Sequence, residues 1–159
     1  MPQPIRQGIQ PKKSNTVVPK SAKKGKRWHP KYGTSKLEDK FASEFLDRLG
    51  VEYVRQYEAK SIGRFYDFYV PSANALIEID GDYYHGYGLV REEKSPMQKK
   101  NERVDRIKDE WAYAHCIPIL RFWEHDINQN PKKVMSELKK SIGICEEKQK
   151  KKEEMQKRH

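Results

Sequence analysis

Two short apolar segments separated by a turn constrain the fold of this chain more than any other feature. Residues 64–70 (RFYDFYV) and 75–80 (ALIEID) are rich in aromatic and branched side chains, and PSAN at 71–74 lies between them. Aromatic and β-branched residues favour strands, whereas proline, serine and asparagine favour turns. The segment therefore predicts a β-hairpin with a four-residue loop.

Two carboxylates of the predicted hairpin face each other. If Val70 and Ala75 close the loop, the numbers of paired residues sum to 145, and Asp67 lies opposite Glu78. Strand alternation puts Asp80 on the same face as Glu78. Like charges at opposed positions destabilise a sheet. We therefore expect these carboxylates to bind a cation or to have a raised pKa, with an exposed acidic face of the hairpin as the alternative.

The side chains of this region indicate which cation would bind. Carboxylate oxygens favour Mg²⁺, Mn²⁺ or Ca²⁺. The two cysteines of the chain, Cys116 and Cys145, are isolated and form no CxxC pair, so no zinc site is expected. We expect both thiols to be buried and reduced.

Length and hydropathy predict one domain with a localised core. The chain has 159 residues, and its apolar residues concentrate between about 37 and 145. It contains no run of 18 apolar residues, so no membrane span is expected. The N-terminus lacks the apolar segment of a secretion signal, which predicts a cytoplasmic protein.

The positive charge of the chain lies mainly in its extensions. Residues 1–33 carry a net charge of +9, residues 34–145 carry −1 and residues 146–159 carry +2. A basic segment of this composition is expected to be disordered alone and to suit phosphate contact. Residues 1–33 are therefore predicted to be a nucleic-acid-contacting arm, with a solubilising tail as the alternative. The candidate contact residues are Lys23, Lys24, Lys26 and Arg27.

The remaining patterns predict helices around the hairpin. The order αβββαβ plus a C-terminal helix predicts an α/β (α+β) fold, in which a mixed sheet is flanked by helices. The further predicted elements are a helix from Ser35 to Gly50, a strand at 51–57, a loop at 81–96, a helix at 97–115, a strand at 117–123 and a helix from Pro131, with residues 146–159 as a charged tail or helical extension. The predicted helical core positions are Leu37, Phe41, Phe45, Leu49, Val104, Ile107, Trp111, Ala114, Val134, Leu138 and Ile142.

Three motifs resemble a known family. They are IEIDGDYYHG (77–86), NERVDRIKDEW (101–111) and PILRFWEHDI (118–127). With the element order, they resemble the PD-(D/E)xK nuclease superfamily, and within it the branch of the very-short-patch repair endonucleases and the EDxHD phage homing endonucleases. The resemblance implies a restriction-endonuclease-like nuclease domain at residues 34–145. It also implies metal-dependent hydrolysis of phosphodiester bonds in double-stranded DNA, associated with the nucleoid or with phage DNA.

The EDxHD pattern implies the catalytic residues. Its first Glu falls on Glu38, its first Asp on Asp67, its variable position on Asp80, its His on His85 and its last Asp on Asp105. The parent superfamily usually has a lysine where this chain has Asp80. We therefore expect Asp80 to strengthen metal binding and His85 to act as the base near neutral pH.

The resemblance also implies how the metal is held. Mg²⁺, with Mn²⁺ as the alternative, would bind Asp67, Glu78 and Asp80, together with the carbonyl of Ile79. Asp105 would either orient the base or bind a second metal, and the sequence leaves both open.

Three further residues are expected to contact DNA. Lys108 would contact a phosphate, because the usual lysine is missing. Tyr83 and Tyr84 would stack on bases or wedge into the duplex, with packing within the protein as the alternative. Arg121 lies in an apolar strand, where pairing with a carboxylate and contact with a phosphate are both open.

Structural alternatives remain for the charged residues. Glu38 fits a helix-capping box with Ser35, His85 fits an aromatic loop, and Asp105 fits a solvated helical ion pair. The functional alternatives are a non-catalytic DNA-binding protein, a structure-specific (resolvase-like) nuclease and an RNA-directed nuclease. The sequence also leaves open whether the chain acts alone or as a homodimer.

Overall fold

The computed structural model of the chain describes residues 34–158. The predicted arm at residues 1–33 lies outside the described residues. The elements are α1 (Thr34–Phe41), a continuing π-helical turn (Ala42–Leu46) and helical turn (Asp47–Leu49), β1 (Val54–Ala59), β2 (Arg64–Val70), β3 (Ala75–Asp80), α2 (Asp82–His85), α3 (Pro96–Ala114), β4 (Ile119–Trp123), α4 (Glu124–Gln129) and α5 (Pro131–Lys157). Short 3-10 turns lie at Lys60–Ile62, Pro71–Ala73 and Arg91–Glu93.

The four strands form one mixed sheet in the order β1-β2-β3-β4. β1 and β3 are both antiparallel to β2, whereas β4 is parallel to β3. A parallel pair needs a long crossover connection, and α3 lies within it. The predicted mixed sheet flanked by helices is confirmed.

Apolar side chains pack on both faces of the sheet. On one face, Phe41 of α1 and Leu138 of α5 belong to the same buried cluster as Phe68 of β2. On the other face, Ala112 of α3 belongs to a cluster with Tyr66 of β2. β3 is buried along its whole length because it lies between two strands and between these two layers. The predicted core positions are buried in α1, in the π-helical turn that follows it and in α5, namely at Leu37, Phe41, Phe45, Val134, Leu138 and Ile142. Leu49 is half-buried against the same cluster.

The hairpin has the predicted register near its turn. The β2–β3 pairs run from Val70–Ala75 to Phe68–Ile77, so the paired numbers sum to 145. The loop ends at Asn74, which has a φ of 48°. Asparagine adopts this left-handed conformation more readily than most residues.

Three predicted elements have other bounds in the structure. The last strand begins at Ile119 rather than at residue 117. The first strand spans Val54–Ala59 rather than residues 51–57, because its partner β2 ends at Val70, where the turn Pro71–Ala73 begins. Tyr53, just before the strand, is buried and donates a hydrogen bond to Asp47 Oδ1 at 2.9 Å. The predicted loop at 81–96 contains α2, whose backbone closes through the hydrogen bond from His85 N–H to the Gly81 carbonyl at 3.0 Å.

The predicted core stripe of α3 is correct only in part: Trp111 packs against the cluster that contains Tyr66 and Val104 is half-buried, but the other two positions are exposed. Ile107 is 42% exposed and Ala114 is exposed, whereas the buried residues of α3 are Gln98, Lys108 and Ala112. The middle of this helix, from Asn101 to Lys108, borders a cavity that is lined mostly by polar residues. Its buried face therefore carries polar residues that apolar periodicity does not mark.

The C-terminal segment continues the last helix. α5 runs to Lys157, and residues 150–158 are exposed. Cys116 is exposed and Cys145 is half-buried, which corrects the prediction that both are buried, while both are free thiols. Within residues 34–158, no helix is long and apolar enough to cross a membrane.

Candidate functional site

The hydrogen-bond ladders on both sides of Asp67 are interrupted. The β2–β3 pairs stop at Phe68–Ile77, and the β1–β2 ladder skips Gln56, which lies opposite Asp67. Gln56 has a φ of 52°, a conformation that is strained for residues other than glycine. The backbone at this level therefore needs hydrogen-bond partners other than the neighbouring strands.

Two carboxylates supply those partners. The N–H of Asp67 donates to Glu78 Oε1 at 2.8 Å, and the N–H of Ile79 donates to Asp67 Oδ2 at 2.7 Å. Asp67 and Glu78 are thus neighbours, as predicted, but each carboxylate contacts the backbone of the opposite strand. These two hydrogen bonds fix both side chains in place.

The alternation of side chains in β2 also changes at Asp67. Tyr66 packs in the layer beneath α3, whereas Phe68 packs in the layer beneath α1. Residues two apart in a regular strand lie on the same face. The local change of face turns Asp67 towards β3, where its carboxylate reaches the Ile79 N–H.

Lys108 of α3 forms a buried ion pair with Glu78. Its Nζ lies 2.5 Å from Glu78 Oε2 and 4.8 Å from the centre of the Tyr66 ring. The Tyr66 hydroxyl donates to the Lys108 carbonyl at 2.7 Å, which ties the helix to the sheet. A buried carboxylate without such a partner would be costly.

Glu38 of α1 reaches the same part of the sheet. Its side chain is buried and accepts a hydrogen bond from Gln56 Nε2 at 2.7 Å. Burial raises the pKa of Glu38 to about 7, against the opposing effects of Arg55 and Gln56. The side chain of Ser35, the other half of the predicted capping box, lies outside the described residues.

The charges of these acids act on one another. Burial raises the pKa of Asp67 well above its usual range, and the neighbouring charges of Glu38 and Glu78 raise it further. The ammonium of Lys108 and the Ile79 N–H oppose this shift. Three acidic side chains therefore share this side of the site with the ammonium of Lys108 and, at Glu38, the charge of Arg55. Ionisation of all three acids together is unfavourable, as the two raised pKa values show.

His85 and Asp105 form the other side of the site. The Nδ1 of His85, at the end of α2, lies 2.8 Å from Asp105 Oδ2 on α3. Its Nε2 lies 3.8 Å from Asp80 Oδ1. Burial disfavours the charged imidazole, but the hydrogen bond with Asp105 and the charge of Asp80 outweigh it, so the pKa of His85 is raised.

Arg121 of β4 contacts three carboxylates, one at the end of β3 and two on α3. Its Nη1 lies 3.3 Å from Asp80 Oδ1 and 3.7 Å from Asp105 Oδ1, and its Nη2 lies 2.7 Å from Asp109 Oδ1. Pairing with carboxylates is thus the role observed for Arg121. Burial still raises the pKa of Asp80 to about 6, despite the opposing charges of Arg121 and His85.

One group in the described part of the chain has the spacing of a metal site. The ligand atoms of Asp80, His85 and Asp105 all lie within 4.8 Å of one another. This group differs from the predicted set, because Asp67 and Glu78 do not belong to it. Asp80 is oriented towards Arg121 and His85, whereas the other two carboxylates bond across the hairpin.

A cavity of about 190 Å³ lies between β3, α2 and α3. Its wall includes neither Asp80 nor Glu38. The predicted site residues that line it are Asp67, Glu78, Ile79, Tyr84, His85, Asp105 and Lys108. The structure therefore brings together residues that lie up to 41 positions apart in the sequence.

The predicted DNA-contacting residues differ in accessibility. Tyr83 is 70% exposed and its ring contacts the Tyr84 ring edge-on at 5.3 Å. Lys108 faces the cavity but is bound to Glu78 rather than exposed as a surface cation. Lys23, Lys24, Lys26 and Arg27 lie outside the described residues.

Three supporting residues of the site were missed by the sequence reasoning. Gln98 and Asn101 of α3 donate to the carbonyls of Tyr83 and Tyr84, and so hold α2 over the cavity. Gln56 holds Glu38. Neutral amides do not stand out in the charge pattern of a sequence. The sequence pointed only to Asn101, which is four residues from Asp105 and so lies on the same face of the helix.

The chain was also compared with known proteins. No protein-family model matches it. No curated protein matches it either.

Proposed function

We propose that this protein is a metal-dependent endonuclease that hydrolyses phosphodiester bonds in double-stranded DNA. The proposed fold is the restriction-endonuclease-like form of the mixed sheet, in the PD-(D/E)xK superfamily and near its very-short-patch repair and EDxHD branch. The observation that carries the proposal is the shared cavity: Asp67 and Glu78 line one side, and His85 with Asp105 lines the other.

The donor set fits a divalent cation. Asp67, Glu78 and Glu38 bring three carboxylates against the single ammonium of Lys108, and burial raises the pKa of two of them. Hard oxygen ligands suit Mg²⁺ or Mn²⁺. Asp67 and Glu78 would hold the ion, which would polarise a phosphoryl oxygen and acidify water.

A second cation position would use Asp80, His85 and Asp105. An imidazole ligand suits transition metals better than Mg²⁺, so this position would favour Mn²⁺. Arg121 already neutralises Asp80 and Asp105. We therefore place the ion at Asp67 and Glu78 and leave His85 for proton transfer.

His85 is oriented for that role. When Nδ1–H donates to Asp105 Oδ2, the lone pair of Nε2 is available to accept a proton from water. Asp105 holds the ring and stabilises the imidazolium that forms. Because His85 must be neutral to act as a base, cleavage should increase as the pH rises through its raised pKa.

Contacts with DNA would surround the cavity. Tyr83 is exposed beside His85, where an aromatic ring can stack on a base. The basic segment at residues 1–33 would add phosphate contacts and make binding sensitive to salt. Lys108 supplies the positive charge that a strand lysine provides elsewhere in the superfamily.

The test is cleavage of supercoiled plasmid with Mg²⁺, with Mn²⁺ or with EDTA. We expect cleavage with a metal and none with EDTA. Asp67→Asn and His85→Ala should each reduce the rate by about 100-fold or more. Glu52→Gln removes an exposed acid outside the site and should cleave like the wild type.

Two results would overturn the proposal. One is wild-type protein that leaves plasmid and branched DNA uncut with both metals. The other is Asp67→Asn protein that cuts as fast as the wild type. DNA binding without any cleavage would indicate the non-catalytic alternative.

A further inference from the structure

A second cavity lies at the other end of β3. It has a volume of about 270 Å³. β3 begins at Ala75 beside this cavity and ends at Asp80 beside His85. A strand rises about 3.3 Å per residue, so the two sites are roughly 17 Å apart along β3. Three parts of the chain line this cavity. They are the hairpin loop (Ala73 and Asn74), the α3–β4 connection (Cys116 and Pro118) and α5 (Cys145, Lys148, Gln149 and Lys152).

The charge of this cavity is positive. Lys148 and Lys152 lie one helical turn apart, and no carboxylate is among the lining residues. Like charges at this spacing destabilise a helix. Neither lysine forms an ion pair within residues 34–158. Glu146 belongs to the same helix, but its carboxylate accepts a hydrogen bond from Ser72 Oγ at 2.6 Å and does not line the cavity.

Neutral donors lie beside the two lysines. The side-chain oxygen of Asn74 accepts a hydrogen bond from the Tyr69 hydroxyl at 3.1 Å, which leaves the NH₂ group of Asn74 as a donor. Gln149 contributes a second side-chain amide. The cavity thus combines two ammonium groups with amide donors.

The thiol of Cys145 adds no negative charge. Burial raises its pKa; the charge of Lys148 opposes the shift, and the charge of Glu146 adds to it. The thiol is therefore protonated at neutral pH.

We propose that this cavity binds a phosphate group, either from a nucleic-acid backbone or from a small phosphate. Lysine ammonium groups bind phosphate as point charges, and amide N–H groups complete its hydrogen bonds. The site is separate from the carboxylate cavity and does not depend on the proposed cleavage reaction.

The two cysteines provide a local measurement. They are the only cysteines of the chain, and both line this cavity. Their rates of alkylation by neutral iodoacetamide are measured separately by peptide mass spectrometry, in EDTA and at ionic strength held constant with NaCl. The rates are compared without addition, with inorganic phosphate and with a short duplex DNA.

We expect both additions to slow alkylation of Cys145 by about threefold or more, because a bound phosphate blocks the cavity. The variant Lys148→Gln/Lys152→Gln should lose this protection. The matched control Lys139→Gln/Lys140→Gln removes the same charge from exposed positions of the same helix and should keep it. An anionic disulfide reagent should also react about threefold faster with the wild type than with Lys148→Gln/Lys152→Gln.

The two additions distinguish the source of the phosphate. Protection by both supports a site for phosphate itself, and protection by DNA alone supports a backbone contact. Protection by neither, or equal protection in Lys148→Gln/Lys152→Gln, would overturn the proposal. In Asp67→Asn protein, phosphate should protect Cys145 from alkylation as it does in the wild type. The phosphate site can therefore be supported even if the protein proves not to be a nuclease.

Discussion

The two halves of the β2–β3 hairpin are built in different ways. Near the turn, residues 68–70 and 75–77 pair through their backbones, and their side chains are buried and apolar apart from one tyrosine hydroxyl. From Asp67 onward, carboxylates replace carbonyls as partners of the backbone N–H groups. The same two strands thus change from a regular sheet to a charged site within one residue.

The difference shows how a buried charged site is held in place. The regular half fixes the register, and this register brings Asp67 beside Glu78. The charged half then depends on side chains from other elements, with Lys108 from α3 and Gln56 from β1. The raised pKa values of Glu38 and Asp67 indicate that burying these acids costs free energy. Apolar packing near the turn can offset that cost.

The largest expected effect is on the regular half. Phe68→Ala should reduce the free energy of unfolding by about 4 kcal/mol, because the ring is fully buried between Phe41 and Tyr53. Urea unfolding at two pH values measures the loss, which should not depend on pH. Phe65→Ala, on the same strand but only half-buried, should cost less. An equal cost for both would contradict the division into two halves.

Loss of the ammonium should be the most costly change in the charged half. Lys108→Met should reduce stability by about 3 kcal/mol at pH 8, because it leaves Glu78 buried without its partner. Adding Glu78→Gln to this variant should restore most of the loss. A double-mutant cycle by urea unfolding measures the coupling, and additive costs would show that the pair is not coupled.

Removal of a buried acid should stabilise the charged half. The pKa of Glu38 rises from 4.5 to about 7 on folding, so the folded state binds more protons and stability falls as the pH rises through this range. Glu38→Gln avoids this loss. It should be more stable than the wild type by about 2 kcal/mol at pH 8 and show no such gain at pH 4.

Thermal unfolding at both pH values measures the effect of Glu38→Gln. Glu52→Gln, which removes an exposed acid, should change neither value. A Glu38→Gln protein that is less stable than the wild type at pH 8 would mean that the ionised carboxylate contributes to stability.

The smallest expected effect is a neutral hydrogen bond in the regular half. Tyr69→Phe should cost about 1 kcal/mol, because it removes the hydroxyl that donates to Asn74 Oδ1. The cost should be the same at pH 4 and pH 8 in urea unfolding. Tyr113→Phe, with an exposed ring, is the control and should cost nothing. A pH-dependent loss in Tyr69→Phe would join this residue to the charged half.

Local patterns predicted the parts of the fold that local physics controls. The turn residues and the composition of the two strands gave the register of the hairpin. Apolar periodicity located the buried faces of α1 and α5, because those helices pack on apolar surfaces. The same rule failed for part of α3, where Gln98 and Lys108 are buried while the apolar Ile107 and Ala114 are exposed.

The composition of the candidate site was predictable, but its pairing was not. The sequence indicated Asp67, Glu78 and His85 as neighbours along the chain. It could not show that Gln56 adopts a left-handed conformation and leaves the ladder beside Asp67. Such strain persists only where the surrounding structure imposes it.

The sequence by itself determined the order of the four strands and the longer helices, the hairpin register and the kinds of side chain near the site, but not the short helices α2 and α4. Only the tertiary structure decided which charge meets which: Lys108 pairs with Glu78, and Arg121 contacts Asp80. The physical reason is that ion pairs and pKa shifts depend on distance and burial between residues far apart in sequence. Those distances exist only once the helices have packed on the sheet.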